Sequence, residues 1–195
     1  MEYSWWTQKY NNVPYATIKN IFSNKEIEKI IEIGKSETHS SKTDAMIGDK
    51  VQDFSYRKCK LSWIRSDIRE NEWIFQKITD AVNLLNSEYY KFDIDLIQNL
   101  QFTEYTSDGD FYGKHLDMGE YETRPRKISF SIQLSKEEEY TGGDLRFYYS
   151  DTAIIADKEI GTMTSFPSYI LHEVLPVTEG TRYALVGWVC GPKFR

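Results

Sequence analysis

Apolar residues recur at two different periods along this chain, and the change of period divides it. Ile27, Ile30, Ile31 and Ile33 fall on one stripe at helical spacing, with polar residues between them. Ser23 and Glu26 stand three apart just ahead of that stripe, the arrangement of a capping box, and Gly34 just beyond it supplies a stop. A short amphipathic helix is predicted there. Trp73, Ile74, Ile78, Ala81, Val82, Leu84 and Leu85 repeat the spacing and predict a second helix over Asn71 to Tyr89, the longest element of the chain. Val13 to Asn20 and Lys58 to Ile64 read as strands. The stretch from Lys35 to Tyr56 is rich in Ser, Thr, Asp, Gly and Lys, has little periodicity and exceeds an ordinary loop, so it reads as a flap or a disordered insertion.

From Ile94 the period falls to two. Ile94, Leu96, Leu100 and Phe102 share one face of a strand, while Asn99, Gln101, Thr103 and Tyr105 share the other. Ile128, Phe130, Ile132 and Leu134 alternate with Ser129, Ser131 and Gln133 in the same way. An apolar back and a polar front predict a sheet packed on helices behind, with a polar cavity in front. Further strands are predicted at Asp144 to Tyr149, Thr162 to Phe166, His172 to Val177 and Arg182 to Cys190, with a turn at Gly142-Gly143 and a solvated turn at Lys136 to Tyr140. Helices early and short antiparallel strands late predict an α+β fold. Its core is a double-stranded β-helix, or jelly roll, over about 93–195, braced by helical support over about 1–92, the whole forming one domain.

Composition narrows the classes without naming a function. The chain has 195 residues, 40% hydrophobic and 15% aromatic, enough to bury a core and too rich in aromatic residues for a disordered protein. Its net charge of -6 opposes binding to a phosphate backbone, so nucleic acid is not an expected partner. The longest nearly apolar stretch, Ala184 to Gly191, is far below the ~20 residues of a membrane span, and Met1 to Tyr10 has no signal-peptide pattern. No membrane association and a cytoplasmic location are therefore expected. Cys59 and Cys190 are too few and too far apart for a disulfide framework or a zinc knuckle, and they suit a reducing compartment.

Candidate chemistry gathers around two histidines. His115-Leu116-Asp117 places two ligand-type side chains on one side of an extended segment, and His172 offers a third ligand at the start of a strand. Two imidazoles and one carboxylate leave coordination positions open, the arrangement of non-haem Fe(II) sites, although zinc would also bind such a set. Ten residues past His172, Arg182 shares a strand face with Ala184, Val186 and Trp188. A guanidinium on that mostly apolar wall calls for an anion, and its planar fork suits the carboxylate of a dicarboxylate cosubstrate. His39, in the polar loop, reads as having no function. Tyr3, Trp5, Trp6 and Tyr10 read as an aromatic N-terminus that packs onto the sheet.

The ordered series His115-Leu116-Asp117, Arg126-Lys127-Ile128-Ser129, Tyr140-Thr141-Gly142-Gly143-Asp144-Leu145, Phe166-Pro167-Ser168, His172-Glu173-Val174 and Gly180-Thr181-Arg182-Tyr183 resembles the 2-oxoglutarate and Fe(II)-dependent oxygenases of the prolyl 4-hydroxylase type, from about Gln98 to Phe194. The resemblance implies that His115, Asp117 and His172 hold Fe(II) and that Arg182 grips the distal carboxylate of 2-oxoglutarate. It places Tyr105 and Gln133 beside the cosubstrate, Trp188 in the wall of a prolyl pocket, and Tyr112 and Arg126 along the substrate channel. It further implies use of O2 with release of succinate and CO2, ascorbate as reductant, and a prolyl residue of a peptide or protein as substrate. A free amino acid or small metabolite as substrate, and a non-catalytic metal-binding jelly roll, are the alternatives. The chain departs from the collagen-type enzymes in having Arg at 182 where they have Lys, and its segment from Lys35 to Tyr56 matches nothing in the family.

Overall fold

Strand alternation in the second half of the chain sorts its side chains between helices on one side and a second sheet on the other. The structure is a computed structural model that describes residues 14–36, 40–44, 56–120, 123 and 125–193, residues 40–44 by their backbone only. In chain order the elements are β1 (Ala16–Ile18), α1 (Asn24–Lys35), β2 (Ser40–Asp44), β3 (Arg57–Lys58), β4 (Lys60–Ile64), α2 (Glu72–Leu85), β5 (Leu96–Ile97), β6 (Leu100–Thr106), β7 (Phe111–His115) and β8 (Arg126–Gln133). They continue with β9 (Tyr140–Gly142), β10 (Leu145–Phe147), β11 (Ile154–Ile155), β12 (Met163–Pro167), β13 (His172–Val174) and β14 (Val177–Cys190). The major sheet runs β1-β12-β8-β14-β6-β4-β2, with β5 and β9 also paired to β14, and the minor sheet runs β11-β10-β13-β7-β3. Antiparallel pairing in both sheets and helices on one outer face give the α+β, double-stranded β-helix expected from the pattern.

The helices form for the reasons the sequence gives. The Ser23 backbone N–H donates to Glu26 Oε2 at 2.8 Å and the Glu26 N–H donates to Ser23 Oγ at 3.4 Å, closing the capping box. Lys77 on α2 pairs with Glu26 at 2.7 Å and ties the two helices together. Ile27, Ile30 and Ile33 of α1 and Ile74, Ile78, Val82 and Leu85 of α2 bury against Leu100, Ile128, Ile132, Met163 and Leu185 of the major sheet. Each such side chain contributes about 1.5–3 kcal/mol on burial. A second, smaller cluster, including Phe147, Phe166, Val174 and Val177, fills the space between the sheets.

Several expectations need correction. Gly34 lies inside the last turn of α1, where a Cβ would stand 2.3 Å from the Phe102 ring, so the residue serves close packing and not chain reversal. Lys58 to Ile64 is not one strand: the chain crosses between sheets at Cys59, β3 pairing with β7 and β4 with β6. Part of the expected flap is ordered pairing, because β2 runs antiparallel to β4 from Ser40 opposite Ile64 to Asp44 opposite Lys60. Its polar sequence gives no apolar signal, since the backbone supplies the bonds. The strand expected from Ile94 to Tyr105 is broken between β5 and β6, and Leu96 is 59% exposed instead of buried with Leu100 and Phe102. The second helix is α2 with a π-helical turn over Asn86–Tyr90, and α2 and β14 are both 14 residues long. The N-terminal support thus contains strands as well as helices. Val13, His39, Phe194, the four N-terminal aromatic residues and most of the expected flap lie outside the described residues. No helix among the described residues is long and apolar enough to cross a membrane.

Candidate metal centre

Pairing of the minor sheet brings the two histidines together. β7 ends at His115 and β13 begins at His172, directly opposite each other in the ladder, with ring centroids 4.1 Å apart. Asp117 sits two residues past the end of β7, in a turn pinned by the N–H groups of Asp117 and Met118, both donating to the Ser168 carbonyl at 3.0 Å. Ligand atoms from the three residues lie within 4.8 Å of one another, and all three side chains are buried.

Hydrogen bonds behind the rings fix the tautomers. His115 Nδ1 lies 2.7 Å from the Gly113 carbonyl and His172 Nδ1 lies 2.9 Å from the Ile170 carbonyl. A carbonyl only accepts, so each Nδ1 carries the proton and each Nε2 turns its lone pair towards Asp117, at 3.7 and 3.4 Å. Burial, with His172 alongside, pushes His115 down to about 3, so its ring is the neutral form a metal requires. Burial would raise the Asp117 carboxyl, yet the group lies below its ordinary value, with a hydrogen bond from Ser129 and the Arg126 charge among the interactions that outweigh burial. Two lone pairs and one carboxylate converge on one point, a donor set that fits a divalent transition metal with positions left open.

Arg182 stands behind this centre. It faces Tyr105 across the β14–β6 ladder, with its guanidinium 5.6 Å from the phenol ring, and only 4% of the residue is exposed. No carboxylate pairs with it among the described residues. It joins the metal cavity to a small polar chamber whose walls include Gln133, Tyr140, Thr162, Thr164 and Lys158. Gln133 Nε2 donates to the Tyr140 hydroxyl at 3.0 Å and to the Ser135 carbonyl at 3.1 Å, while Thr162 Oγ1 is buried with no hydrogen-bond partner. A buried cation beside an orphaned hydroxyl fits a bound carboxylate.

The cavity in front of the metal point encloses about 450 Å³ of empty space, part of it open to solvent. Arg182, Val186 and Trp188 share its wall, as strand alternation predicts, and Tyr105 and Tyr112 also line it. Tyr112 stacks on His115 with centroids 3.6 Å apart. Arg126 is placed differently: its guanidinium lies 3.8 Å over the Trp188 ring and its Nε donates to Gln98 Oε1 at 2.9 Å, so it backs the cavity wall instead of forming it. Not every group of the site was anticipated. Arg57 and Thr162 come from segments that carry no metal-site signal, Tyr140 lies in a segment that carries the family resemblance without a role assigned to it, and Gln101 stands in the sequence only as part of a polar strand face. Alternation could have marked Thr162 and Thr164, two hydroxyls at period two before an apolar strand end.

Residues 100–190 match the model of the 2OG-Fe(II) oxygenase superfamily. A PKHD-type hydroxylase of Hyphomonas neptunium is 39% identical over 88 residues, 43% of this chain, so the matched part spans about two fifths (39%) of that relative's length. Two solved structures share the fold at 19% identity. A prolyl-4-hydroxylase of Pseudomonas putida superposes with a TM-score of 0.72 over 92% of this chain and 93% of its own. A prolyl hydroxylase of Trichoplax adhaerens, solved with a peptide fragment of a hypoxia-inducible factor degradation domain, superposes with a TM-score of 0.73 over 92% of this chain and 84% of its own.

Proposed function

We propose that this chain is a 2OG-Fe(II) oxygenase of the prolyl hydroxylase type and that it hydroxylates a prolyl residue in a peptide or protein, consuming 2-oxoglutarate and O2 and releasing succinate and CO2. The observation that carries the reading is one cavity holding both a His, His, Asp donor set and a buried arginine with no carboxylate partner among the described residues. Fe(II) and 2-oxoglutarate bound here would activate O2, one of whose oxygen atoms would pass to succinate and the other into a substrate C–H bond. The chain's own residues do the rest. His115, Asp117 and His172 would hold the metal, the Nδ1–H of each histidine donating to a backbone carbonyl so that its Nε2 stays available. Arg182 holds the distal carboxylate of 2-oxoglutarate, and Tyr105 lies against that guanidinium. Gln133 acts one step back, orienting the Tyr140 hydroxyl in the chamber. Tyr112 and Trp188 form the walls that keep water from the substrate, and Arg126 stiffens Trp188 by stacking on it.

A peptide substrate is supported by the Trichoplax relative, which was solved with one. We further read ascorbate as the reductant that keeps the iron ferrous, residues 1–195 as one oxygenase domain, and the cytoplasm as its compartment, which the two free thiols fit. Anaerobic titration of the Fe(II)-loaded protein with 2-oxoglutarate tests the reading without knowledge of the substrate. A visible charge-transfer band is expected on chelation and is expected to weaken strongly in Arg182→Ala. Iron binding with no band, or a band indifferent to Arg182→Ala, overturns it.

A further inference from the structure

A second guanidinium lies in the same cavity, and the proposed reaction leaves it without a role. Arg57 is 5% exposed and lines the cavity from the minor sheet. Its Nη2 donates to Gln101 Oε1 at 2.7 Å, its Nε donates to Cys59 Sγ at 3.3 Å, and its guanidinium lies 4.3 Å over the Tyr112 ring. These partners are neutral, and no carboxylate pairs with Arg57 among the described residues. A guanidinium buried in this way is costly to the fold unless an anion joins it, and it cannot escape by losing its proton.

Arg57 enters the cavity from the minor sheet and is held at the Gln101 end of β6, with Tyr105 within reach of its charge as well as that of Arg182. Gln101, which holds it, stands opposite Val186 in the β6–β14 ladder, whereas Tyr105 stands opposite Arg182. Four residues of strand, about 13 Å, separate those two positions. Trp188 lies at the Gln101 end, since Trp63 stands opposite Gln101 and its ring is 6.1 Å from that of Trp188. The Trp188 Nε1 is buried with no hydrogen-bond partner, a second unanswered donor on the same side. Tyr112 lies between Arg57 and His115, so the guanidinium is one ring removed from a metal ligand.

Charge points the same way. The ionised groups of the cavity wall are two guanidinium ions and the Asp117 carboxylate. A divalent metal and a 2-oxoglutarate dianion cancel each other, so the loaded site keeps one positive charge in excess. We infer that the substrate carries a carboxylate close to the carbon that reacts, and that Arg57, assisted by the Trp188 N–H, binds it. The inference rests on the oxygenase reading above and narrows its substrate to prolyl residues beside an anion. That anion is either the α-carboxylate of a C-terminal proline or the side chain of an adjacent aspartate or glutamate.

Binding of four short probes to the protein loaded with Mn(II) and 2-oxoglutarate tests it: acetyl-Ala-Pro as the free acid, the same peptide as its amide, acetyl-Ala-Pro-Asp-amide and acetyl-Ala-Asp-Pro-amide. A charge-assisted pair predicts that at least one acidic probe binds about tenfold or more tighter than the neutral amide. Preference for the free acid assigns the α-carboxylate, and preference for an aspartyl probe assigns the side chain. Arg57→Gln is expected to erase the preference, and Arg57→Lys, which keeps the charge without the fork, to retain part of it. Equal binding of all four probes, no binding by any, or a preference unchanged in Arg57→Gln overturns the inference. 2-Oxoglutarate affinity is titrated first on every variant; it reads the Arg182 end and the fold, so its loss in the parent protein counts against the oxygenase reading itself.

Discussion

The two faces of the major sheet come from the same strands and are built on opposite terms. On β8, Ile128 and Ile132 point to the helices and are at most 1% exposed, while Ser129, Ser131 and Gln133 point to the other side. On β14, Leu185 and Val189 go to the helices, and Arg182, Val186 and Trp188 go to the cavity. On the back the sheet's own side chains are satisfied by packing, and the unpartnered polar atoms there, Asn71 Oδ1 and Trp73 Nε1, belong to the start of α2. The front keeps Arg182, with Arg57 facing it from the minor sheet, both without carboxylates among the described residues, and two polar atoms, Thr162 Oγ1 and Trp188 Nε1, without partners. Each orphaned group costs about 1–3 kcal/mol, and each buried aliphatic side chain behind the sheet contributes about as much. The helix-backed face therefore stabilises a sheet whose other face is held ready for ligands.

One substitution behind the sheet and one at the metal point can be used to break that comparison. Ile132→Ala opens a cavity behind the sheet and is expected to lower unfolding stability by about 2–5 kcal/mol in urea titrations. Metal affinity measured well below the unfolding transition should stay within about twofold, because no ligand moves. A large loss of metal binding in this variant would mean the faces are not energetically separate. Asp117→Ala makes the complementary case. Loss of a ligand should weaken metal binding by about a hundredfold or more, since even outer-shell changes cost 10–100-fold. The metal-free protein should stay folded and melt within about 2 kcal/mol of its parent, because burial offsets most of what the hydrogen bond and neighbouring charges of this carboxylate contribute. Metal-binding calorimetry and thermal melts of the same samples read both quantities.

The difference between the faces also governs how much the sequence reveals. Ile27, Ile30 and Ile33, and the alternation from Ile128 to Leu134, predict the back because burial there follows a single period in each element. His115, Asp117, His172 and Arg182 are legible because their chemistry is unusual in strands and their order resembles a known family. Arg57 is not, because β3 has two residues and the chain changes sheet at Cys59, so no alternation runs long enough to assign its face. Tyr140 and Thr162 are 22 positions apart and meet behind Arg182 only through the sheet topology. β2 is hidden for another reason: a polar edge strand is held by backbone bonds, which leave no trace in side-chain pattern.

Thr162 provides the finest test of the contrast. Its residue is 1% exposed, and its Oγ1 is buried without a partner in the chamber that Arg182 lines. Thr162→Val keeps the shape and removes the hydroxyl. Elsewhere in a core such a change destabilises, because it abandons a hydrogen bond. Here it should stabilise the ligand-free protein by about 1 kcal/mol, since an unsatisfied group is removed. The same hydroxyl can donate to a carboxylate held by Arg182, so affinity for 2-oxoglutarate should fall about tenfold. Stability and affinity thus move in opposite directions from the loss of one oxygen atom. If the valine variant instead melts lower with affinity unchanged, the hydroxyl belongs to the packing of the fold, and the chamber behind Arg182 is not where the distal carboxylate rests.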